Sequence, residues 1–438
     1  MRLIVAALAL ACLVRAQPAT ETTALTHATV IDGSGSSPLA DTTVLIQGGR
    51  IAAVYPAASR PAPSGAHVED LTGKWIIPGL IDAHVHITQG SGDLARYREM
   101  LSGLLLDGVT GLRDMAGDAR ILGYLAREAR LDAPGWPDIY YSALMAGPTF
   151  FFEDSRVPDA ARGLALGSAP WMRAVDENTD LRIAVAEAKG TGATGVKLYA
   201  NLPASIVKAI AAEAHRQGLL VWTHSTIFPA KPGDSVAAGA DSISHTAYLA
   251  WEAAPHVPAD YRSRALLDFT RIRPDDPRII ALLTQMKEHG TILDATLRVY
   301  QQLAERSPDA VGKGILPWTY AVTRAAHEAG VLVDAGTDSG GLVSRQPGAA
   351  AAVAEEMALL VDRCGFSPEA AIQAATEVSA MAVGQAAQRG TIAPGMAADL
   401  VVLNADPVKD IRNVRAVAEV MKDGKLFRPT QNPEHLSR

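Results

Sequence analysis

Short apolar runs alternate with alanine-rich, helix-like stretches through most of the chain, and this alternation predicts its architecture. Runs of strand type stand at Ile76 to Ile81, Val109 to Leu112, Ile139 to Ala143, Gly195 to Tyr199, Leu219 to Thr223, Ser242 to Ser244, Ile292 to Ala295 and Val331 to Ala335. Helical periodicity fills the intervals, as at Leu181 to Lys189, Ser205 to Gln217, Ile279 to His289 and Tyr320 to Ala329. Eight such pairs in roughly 310 residues predict an α/β fold with a (β/α)8 TIM barrel. A doubly wound sheet is disfavoured because no glycine-rich phosphate turn follows an early strand.

Shorter β-like runs, separated by turn residues, flank this barrel segment on both sides. They are Ala28 to Ile31, Thr43 to Ile46 and Arg50 to Tyr55 before it, and Ala398 to Leu403 and Val414 to Met421 after it. The similarity of the two ends suggests that they assemble into one unit. We therefore predict a small β-sandwich domain of residues 17–75 plus 388–438, with a TIM-barrel catalytic domain of residues 76–387 inserted into it.

The N-terminus has the pattern of a bacterial-type signal peptide, residues 1–16. Arg2 precedes an apolar run from Leu3 to Val14, and Val14-Arg15-Ala16 is a small-residue cleavage site. The run is too short to span a membrane, so we expect an exported protein, periplasmic or extracellular. Lipid anchoring at Cys12 is the weaker alternative, because the residues before it match a lipoprotein signal poorly. Cleavage after Ala16 leaves Cys364 alone and excludes an intrachain disulfide.

The composition and charge of the chain restrict the classes of partner that it is expected to bind. The chain has 438 residues, is 48% hydrophobic and carries a formal net charge of -7. It lacks the basic footprint of a protein that binds nucleic acid, so we expect a small-molecule substrate, with no nucleic acid and no membrane partner apart from the lipid anchor already considered. A homo-oligomer stays open, because no sequence feature fixes the number of subunits.

The stretch from Pro78 to Ile87 carries the first candidate chemistry. Side chains on a strand alternate between its faces, so His84 and His86 point the same way and Val85 points the opposite way. Two imidazoles on one face can hold a metal ion, although such a pair is also compatible with ordinary half-buried histidines. Asp82 shares this face deeper in the strand and is interpreted as a supporting residue.

Further ligand-type residues stand at the carboxyl ends of other predicted strands, where barrel active sites are built. They are Lys197 at the end of the fourth strand, His224 at the end of the fifth, His245 at the end of the sixth and Asp338 at the end of the eighth. Singly, each has an ordinary structural interpretation: a salt-bridged lysine at the barrel mouth, satisfied core histidines and a turn or helix-capping aspartate. Their joint occurrence at strand ends favours a metal centre.

These motifs resemble those of the metal-dependent amidohydrolase superfamily over nearly the whole mature chain. The matching segments are Pro78 to His86, Gly108 to Asp114, Asp241 to His245, Ala335 to Asp338 and Gly390 to Leu403. Within the superfamily, the chain is most similar to the imidazolonepropionase-related group that includes prolidase-like Xaa-Pro dipeptidases and N-acyl amino acid hydrolases.

The resemblance implies a centre of two divalent metal ions. His84, His86 and Asp338 would hold the more buried ion, His224 and His245 the more exposed one, and Lys197, N-carboxylated to a carbamate, would bridge both. Imidazole, carboxylate and carbamate ligands suit Zn²⁺ best, with Mn²⁺ or Co²⁺ as alternatives. A hydroxide shared by the metals would attack the substrate carbonyl, and Asp338 would act as the catalytic acid and base.

The substrate is less well specified than the metal ligands. Tyr199 shares the face of Lys197 and could donate to a substrate carbonyl or carboxylate, and Arg298, just past the seventh strand, could pair with a carboxylate. An exposed helix-start residue is the other interpretation of Arg298. Many relatives have a second histidine after the fifth strand, whereas Ser225 and Thr226 follow His224 here, which leaves substrate contacts in that loop open.

Hydrolysis of an amide or peptide bond, in a dipeptide or an N-acyl amino acid with a free carboxylate, is the predicted activity. A lactonase or esterase would use the same ligands, and a deaminase of the superfamily would need no lysine ligand. A non-catalytic binding protein on this scaffold is disfavoured by the intact ligand set. Arg113 and Asp114 are expected to form a structural ion pair with each other.

Overall fold

The computed structural model describes residues 21–88, 93–131, 135–308, 311–340 and 352–429. The predicted signal peptide, with Cys12 and the cleavage site, lies outside these residues. Two sheets organise the described chain: the larger curls into a parallel barrel, and the smaller gathers strands from both ends. The predicted α/β class and barrel are therefore confirmed. None of the helices in this part of the chain combines the length and the apolar character needed to cross a membrane.

The strands are short and are named here in chain order. They are β1 (Thr22–Val30), β2 (Leu39–Gln47), β3 (Arg50–Pro56), β4 (His67–Asp70), β5 (Trp75–Pro78), β6 (Leu80–His86), β7 (Val109–Asp114), β8 (Asp138–Ala146), β9 (Ser168–Ala169), β10 (Met172–Ala174), β11 (Gly195–Leu198), β12 (Leu220–His224), β13 (Ser242–Ser244), β14 (Ile292–Asp294), β15 (Val333–Asp334), β16 (Ser339–Gly340), β17 (Leu400–Leu403), β18 (Val417–Lys422) and β19 (Lys425–Phe427).

The barrel is a parallel sheet in the order β6, β7, β8, β11, β12, β13, β14, β15, and it closes through its eighth position. There, β15 pairs with β14, and β16, a few residues further along the chain, pairs with β6. All of these pairings are parallel, so the carboxyl ends of the strands meet at one end of the barrel. The predicted ligands are thereby brought to a common mouth.

The first predicted strand is not a single strand in the structure. The run from Ile76 to Ile81 divides at Gly79, with β5 in the small sheet and β6 in the barrel. A Cβ atom on Gly79 would lie 2.2 Å from Oγ1 of Thr110, so no other residue fits this close approach. The barrel strand continues to His86, so both histidines lie within it and not beyond its end.

The small sheet has the order β19, β18, β17, β5, β1, β2, β3, with β4 also paired to β1. The segment before β17 contacts the turn between β2 and β3, where the N–H group of Ala398 donates to the carbonyl of Gly49 over 2.9 Å. The two ends enclose a core of their own, which includes Leu25, Val44, Ile76, Leu400 and Met421. The exact domain limits stay a prediction.

Helices connect the barrel strands. They are α1 (Leu94–Leu106), α2 (Ala119–Leu131), α3 (Pro148–Glu153), α4 (Val157–Ala160), α5 (Leu181–Gly190), α6 (Ala204–Arg216), α7 (Pro232–Ala237), α8 (Ala250–Ala253), α9 (Pro277–His289), α10 (Leu297–Arg306), α11 (Ile315–Ala329), α12 (Ala352–Cys364), α13 (Pro368–Gln373) and α14 (Ser379–Ala382). The four helices predicted from periodicity correspond to α5, α6, α9 and α11.

Helix α9 shows how local sequence sets these limits. The side chain of Asp276 accepts a hydrogen bond from the N–H group of Arg278, and Pro277 takes the first helical position. Ile279, Leu282, Leu283 and Met286 recur at helical spacing and are all buried. Gly290 ends the helix with a φ of 69°. The helix thus packs one apolar face on the barrel, and the next strand begins two residues later.

Candidate metal centre

Six side chains predicted from the sequence converge at the barrel mouth. Nε2 of His86 lies 3.1 Å and Nε2 of His84 lies 3.5 Å from Oδ1 of Asp338. The ring centroid of His245 lies 5.0 Å from that of His84 and 4.7 Å from that of His224. One ligand atom each from His84, His245 and Asp338 fall within 4.8 Å of one another, which is a spacing that one cation can bridge. Lys197 lines the same cavity as His84, His86, His245 and Asp338.

In three of the imidazoles Nδ1 is hydrogen-bonded to a protein group, so Nε2 is the ring nitrogen that can bind a cation. Nδ1 of His84 lies 2.6 Å from Oδ2 of Asp294, and Nδ1 of His224 lies 2.9 Å from the carbonyl oxygen of Thr226. A carbonyl only accepts hydrogen bonds, so His224 carries its proton on Nδ1 and keeps a lone pair on Nε2. Nδ1 of His245 lies 2.9 Å from Oγ1 of Thr296. Such outer partners are typical of metal-binding histidines.

Burial and mutual charge favour the protonation states that bind cations. Burial, reinforced by neighbouring positive charge, lowers the pKa of His224 and of His245 well below the ordinary range, which favours neutral rings. Burial opposes ionisation of Asp338, but the nearby His84 and His86 outweigh it and lower the pKa of this carboxyl. The residues therefore fit a cation centre, because the neutral rings of His224 and His245 and the ionised carboxylate of Asp338 are suitable ligands.

Lys197 does not make the salt bridge that was its alternative interpretation. Its side chain is buried and its Nζ donates to Oγ of Ser244 over 3.0 Å, and no carboxylate in the described ranges lies within ion-pair distance of it. Burial is the main cause that lowers the pKa of Lys197 to about 7. A substantial fraction of this amine is therefore uncharged near neutrality.

Strained backbone occurs where the ligands leave the strands. His245, Thr296 and Asp338 have φ values of 79°, 51° and 52°, in the left-handed region that residues with a side chain rarely adopt. His245 and Asp338 are predicted ligands, and Thr296 contacts His245. Strain of this kind persists where the surrounding structure fixes it, commonly at functional sites.

A buried ionic network lies beneath the histidines. Arg113 was expected to pair with Asp114, but its Nη2 lies 3.3 Å from Oδ2 of Asp294 and 3.3 Å from Oδ2 of Asp334. Asp114 instead accepts the N–H groups of Ile87 and Ala116. The expected pair fails because adjacent residues of a strand point to opposite faces. Arg113 thus supports Asp294, which in turn orients His84.

Asp82 has the supporting role expected for it. Its carboxyl accepts hydrogen bonds from the backbone N–H of His84 over 3.2 Å and from Oγ1 of Thr337 over 2.8 Å. Burial raises the pKa of Asp82 to about 7. The residue ties β6 to the segment that carries Asp338.

The cleft above the centre has two lobes. The first, of about 850 Å³, is lined by His86, Met115, Phe150, Arg156 and Met172, among others. The second, of about 900 Å³, is lined by His224 and by several aromatic residues of the segments after β13 and β14. Tyr199, Arg156, His245 and Asp338 line both lobes, so two of the predicted ligands, His245 and Asp338, lie at their junction.

Of the two predicted substrate contacts, the structure brings Tyr199 to the cleft but not Arg298. Tyr199 accepts a hydrogen bond from Nη2 of Arg156 over 3.0 Å. The guanidinium of Arg298 pairs with Glu355 on α12 and donates to Oγ of Ser339 over 3.1 Å. It lines neither lobe, because a partner from a distant helix already holds it. Its interpretation as a carboxylate anchor is therefore not supported.

Several residues that shape this site were missed from the sequence. Asp294 ends β14 and so stood where strand-end reasoning could have found it, next to Ala295. Arg156 and Arg264 lie outside regular periodic elements, and Thr296 is a single turn residue, so no pattern distinguished them.

Known proteins resemble this chain over most of its length. The model of the amidohydrolase family matches residues 75–427. Ochratoxinase from Aspergillus niger is 27% identical over 415 residues, a match that covers 81% of this chain and 75% of that protein. Imidazolonepropionase from Deinococcus radiodurans is 26% identical over 406 residues, covering 88% of this chain and 91% of the relative. Among solved structures, one from Bifidobacterium longum, provisionally described as a prolidase, is 27% identical with a TM-score of 0.67, over 95% of this chain and 96% of that one.

Proposed function

The chain belongs to the amidohydrolase family, as its motifs predicted, and from this premise we propose that it is a binuclear metal-dependent hydrolase of amide or peptide bonds. The observation that carries the proposal is the convergence at the barrel mouth of four histidines, one aspartate and a buried lysine that has no ion-pair partner among the described residues. Relatives named ochratoxinase, imidazolonepropionase and prolidase place this chain among amide-cleaving enzymes and support the choice of bond.

The ligand assignment is the one that the family motifs imply. We assign His84, His86 and Asp338 to one divalent ion and His224 and His245 to the other, with Zn²⁺ as the preferred metal. Lys197 is assigned as the bridge after N-carboxylation. In that step the neutral amine adds to carbon dioxide, forms an N–C bond and releases one proton. The lowered pKa of Lys197 and its lack of a carboxylate partner in the described chain support this assignment.

Divalent metals in such a centre supply Lewis acidity, which polarises a carbonyl and makes a bound water acidic near neutral pH. Proton transfer and substrate binding are assigned to residues of the chain. Asp338, held ionised beside His84 and His86, accepts the proton of the attacking water and returns it to the leaving amine nitrogen. Tyr199 and Arg156, which are hydrogen-bonded to each other at the junction of the lobes, bind and orient the substrate.

The proposed substrate is a dipeptide or an N-acyl amino acid with a free carboxylate. The cleft accommodates groups on both sides of the scissile bond, because its two lobes meet at Asp338 and His245. The experiment is a panel of N-acyl amino acids, dipeptides, the matching carboxamides and simple lactones, assayed with metal-loaded protein. Release of free amino acid from the carboxylates supports the proposal. Preferential opening of lactones, or release of ammonia by deamination, would replace it with another activity of the family.

Export is the proposed location. Its support is the N-terminal pattern of Arg2, an apolar run and a cleavage site ending at Ala16. Expression of the full chain in a bacterium, followed by N-terminal sequencing of the periplasmic fraction, tests it. A mature protein that starts at Gln17 is the expected product, and an uncleaved cytoplasmic protein would contradict it.

A further inference from the structure

The second lobe of the cleft is aromatic and lies directly against His224. The ring centroid of Tyr248 lies 4.3 Å from that of His224, and Tyr261 stacks on Tyr248 at 6.3 Å with an interplanar angle of 16°. Trp251 and Phe269 line the same lobe. A wall of this composition favours a planar apolar group, because aromatic faces bury large area at low entropic cost.

Arg264 brings a positive charge into this aromatic lobe. Its guanidinium carbon lies 3.6 Å from the ring centroid of Tyr261. Nη1 of Arg264 donates to the carbonyl oxygen of Tyr261 over 2.5 Å, and Nε donates to Oη of Tyr248 over 3.2 Å. The stacking and these two bonds fix the plane of the guanidinium, while Nη2 is left without a bond to any residue in the described segments.

The other arginines near the site are already neutralised. Nη2 of Arg156 lies 2.7 Å from Oδ2 of Asp154, and Arg298 pairs with Glu355. No carboxylate in the described part of the chain pairs with Arg264. A partly buried guanidinium without a counter-ion is stabilised by a ligand that brings an anion, and its planar fork suits a carboxylate best.

The position of Arg264 relative to His224 suits the carboxylate of an N-acyl amino acid. In an N-acyl amino acid the carboxylate carbon stands three bonds from the scissile carbonyl carbon, and the side chain branches from the atom next to it. Both tyrosine rings contact His224, since the ring centroid of Tyr248 lies 4.3 Å and that of Tyr261 lies 5.9 Å from the ring centroid of His224, and Arg264 stacks on Tyr261. A carboxylate and an aromatic side chain on the leaving amine therefore enter the same lobe.

We propose that Arg264 binds the carboxylate of the leaving amino acid and that Tyr248 and Tyr261 hold its aromatic side chain, so that the enzyme prefers N-acyl aromatic amino acids. The inference rests on the proposed function for turnover. The binding of a carboxylate by Arg264 is testable without turnover.

The first test measures binding. Isothermal titration calorimetry compares 3-phenylpropanoate with 3-phenylpropanamide on wild type, Arg264→Gln, Arg264→Lys and Arg262→Gln. Arg262 is the matched control, since it lies on the same segment but is exposed and approaches Glu153 only at 3.9 Å. Loss of a charge-assisted bond predicts affinity for the acid about 10- to 100-fold weaker in Arg264→Gln, with the amide unaffected. Arg264→Lys keeps the charge without the fork and falls between the two.

The second test measures specificity. Values of kcat/KM are compared for N-acetyl-phenylalanine, its carboxamide and N-acetyl-alanine in the same variants. Arg264→Gln is expected to remove most of the preference for the acid over its carboxamide, and Arg262→Gln to retain it. Wild type is expected to prefer the phenylalanine derivative to the alanine one.

The two claims fail in different ways. If wild type binds 3-phenylpropanoate through Arg264 but cleaves no amide, the proposed function is wrong and the carboxylate site stands. If wild type cleaves these amides and Arg264→Gln retains both the affinity and the preference for the acid, the carboxylate site is wrong and the proposed function stands. Equal turnover of the alanine and phenylalanine derivatives would overturn the aromatic preference.

Discussion

Nδ1 of His84 lies 2.6 Å from Oδ2 of Asp294, although 210 positions separate the two residues in the chain. Both are fully enclosed, and Nη2 of Arg113 lies 3.3 Å from the same oxygen. Burial disfavours the ionised acid, but His84 and Arg113 outweigh that effect and lower the pKa of Asp294. A carboxylate that favours the ionised form thus sets the tautomer and the orientation of a proposed metal ligand.

This relationship predicts a selective effect on metal affinity. Asp294→Asn is expected to weaken binding of a divalent ion about 10- to 100-fold, because the amide no longer fixes the imidazole. Competition with a chromophoric chelator measures the change. Asp334→Asn is the matched control: it contacts Arg113 but not His84, and burial together with the charge of Asp294 raises its pKa well above the ordinary value. The raised pKa favours the neutral acid, and the amide keeps its shape beside Arg113, so an affinity near that of wild type is expected. Equal losses in both variants would show a general packing effect.

Asp338→Asn separates metal binding from proton transfer. The amide oxygen still reaches the position of the carboxylate, so the metal content is expected to stay near that of wild type. The amide accepts no proton, so kcat is expected to fall about 10²- to 10⁴-fold. Elemental analysis and single-turnover kinetics measure the two quantities on the same preparation. Near-normal turnover would exclude Asp338 as the proton carrier.

Glu356 gives a prediction for stability that is independent of the metal. This buried carboxyl of α12 accepts the N–H groups of Leu297 and Arg298, each over 2.8 Å, and burial raises its pKa to about 8. Between the unfolded pKa and about 8 the folded state holds more protons than the unfolded one, so the contribution of this residue to stability falls as pH rises. Glu356→Gln does not ionise. The free energy of unfolding of the variant, relative to wild type, is therefore expected to increase from pH 5 to pH 8.

Urea denaturation at the two pH values, each with chelator present, measures this difference. The glutamine carbonyl can accept only one of the two N–H groups, but this loss does not depend on pH, so the change of the difference with pH isolates ionisation. A difference between variant and wild type that is constant across this range would mean that Glu356 titrates normally in the folded protein.

The number of reactive thiols, to which Cys364 contributes one, tests the predicted cleavage after Ala16. Cys364 is a free, buried cysteine, and burial is the main cause that raises its pKa to about 12. A buried and protonated thiol is a poor nucleophile, so a chromogenic disulfide reagent is expected to leave the native protein unmodified. In denaturant, one thiol per chain is expected from the exported form, because cleavage after Ala16 removes Cys12. Two thiols would show that the N-terminal segment is retained.

The convergence of the proposed ligands could be predicted from sequence because the side chains of a strand alternate with a period of two. His84 and His86 are separated by one residue, and Lys197, His224 and His245 each stand at or near the end of a short apolar run. A parallel barrel brings all such ends to one mouth, so the order of the runs was enough. The division of the first run at Gly79 was missed because both of its halves are apolar and only the sheet topology distinguishes them.

The ion pairs could not be predicted in the same way. Arg113 pairs with residues of β14 and β15, and Arg298 with a residue of α12, so each partner is distant in the chain. Neither a spacing nor a period encodes such a contact. Arg156 and Arg264 were missed for a related reason, since irregular segments place them and only the folded cleft reveals their role.

The central claim is that this chain hydrolyses an amide with two metal ions. The most direct test is a titration of chelator-stripped protein with Zn²⁺ in bicarbonate buffer, with the initial rate of hydrolysis of N-acetyl-phenylalanine as the readout. If two metal ions are needed, the stripped protein is expected to have negligible activity. The rate is then expected to rise to a plateau at two equivalents of metal per chain. A rate independent of added metal, or a plateau at one equivalent, would contradict it.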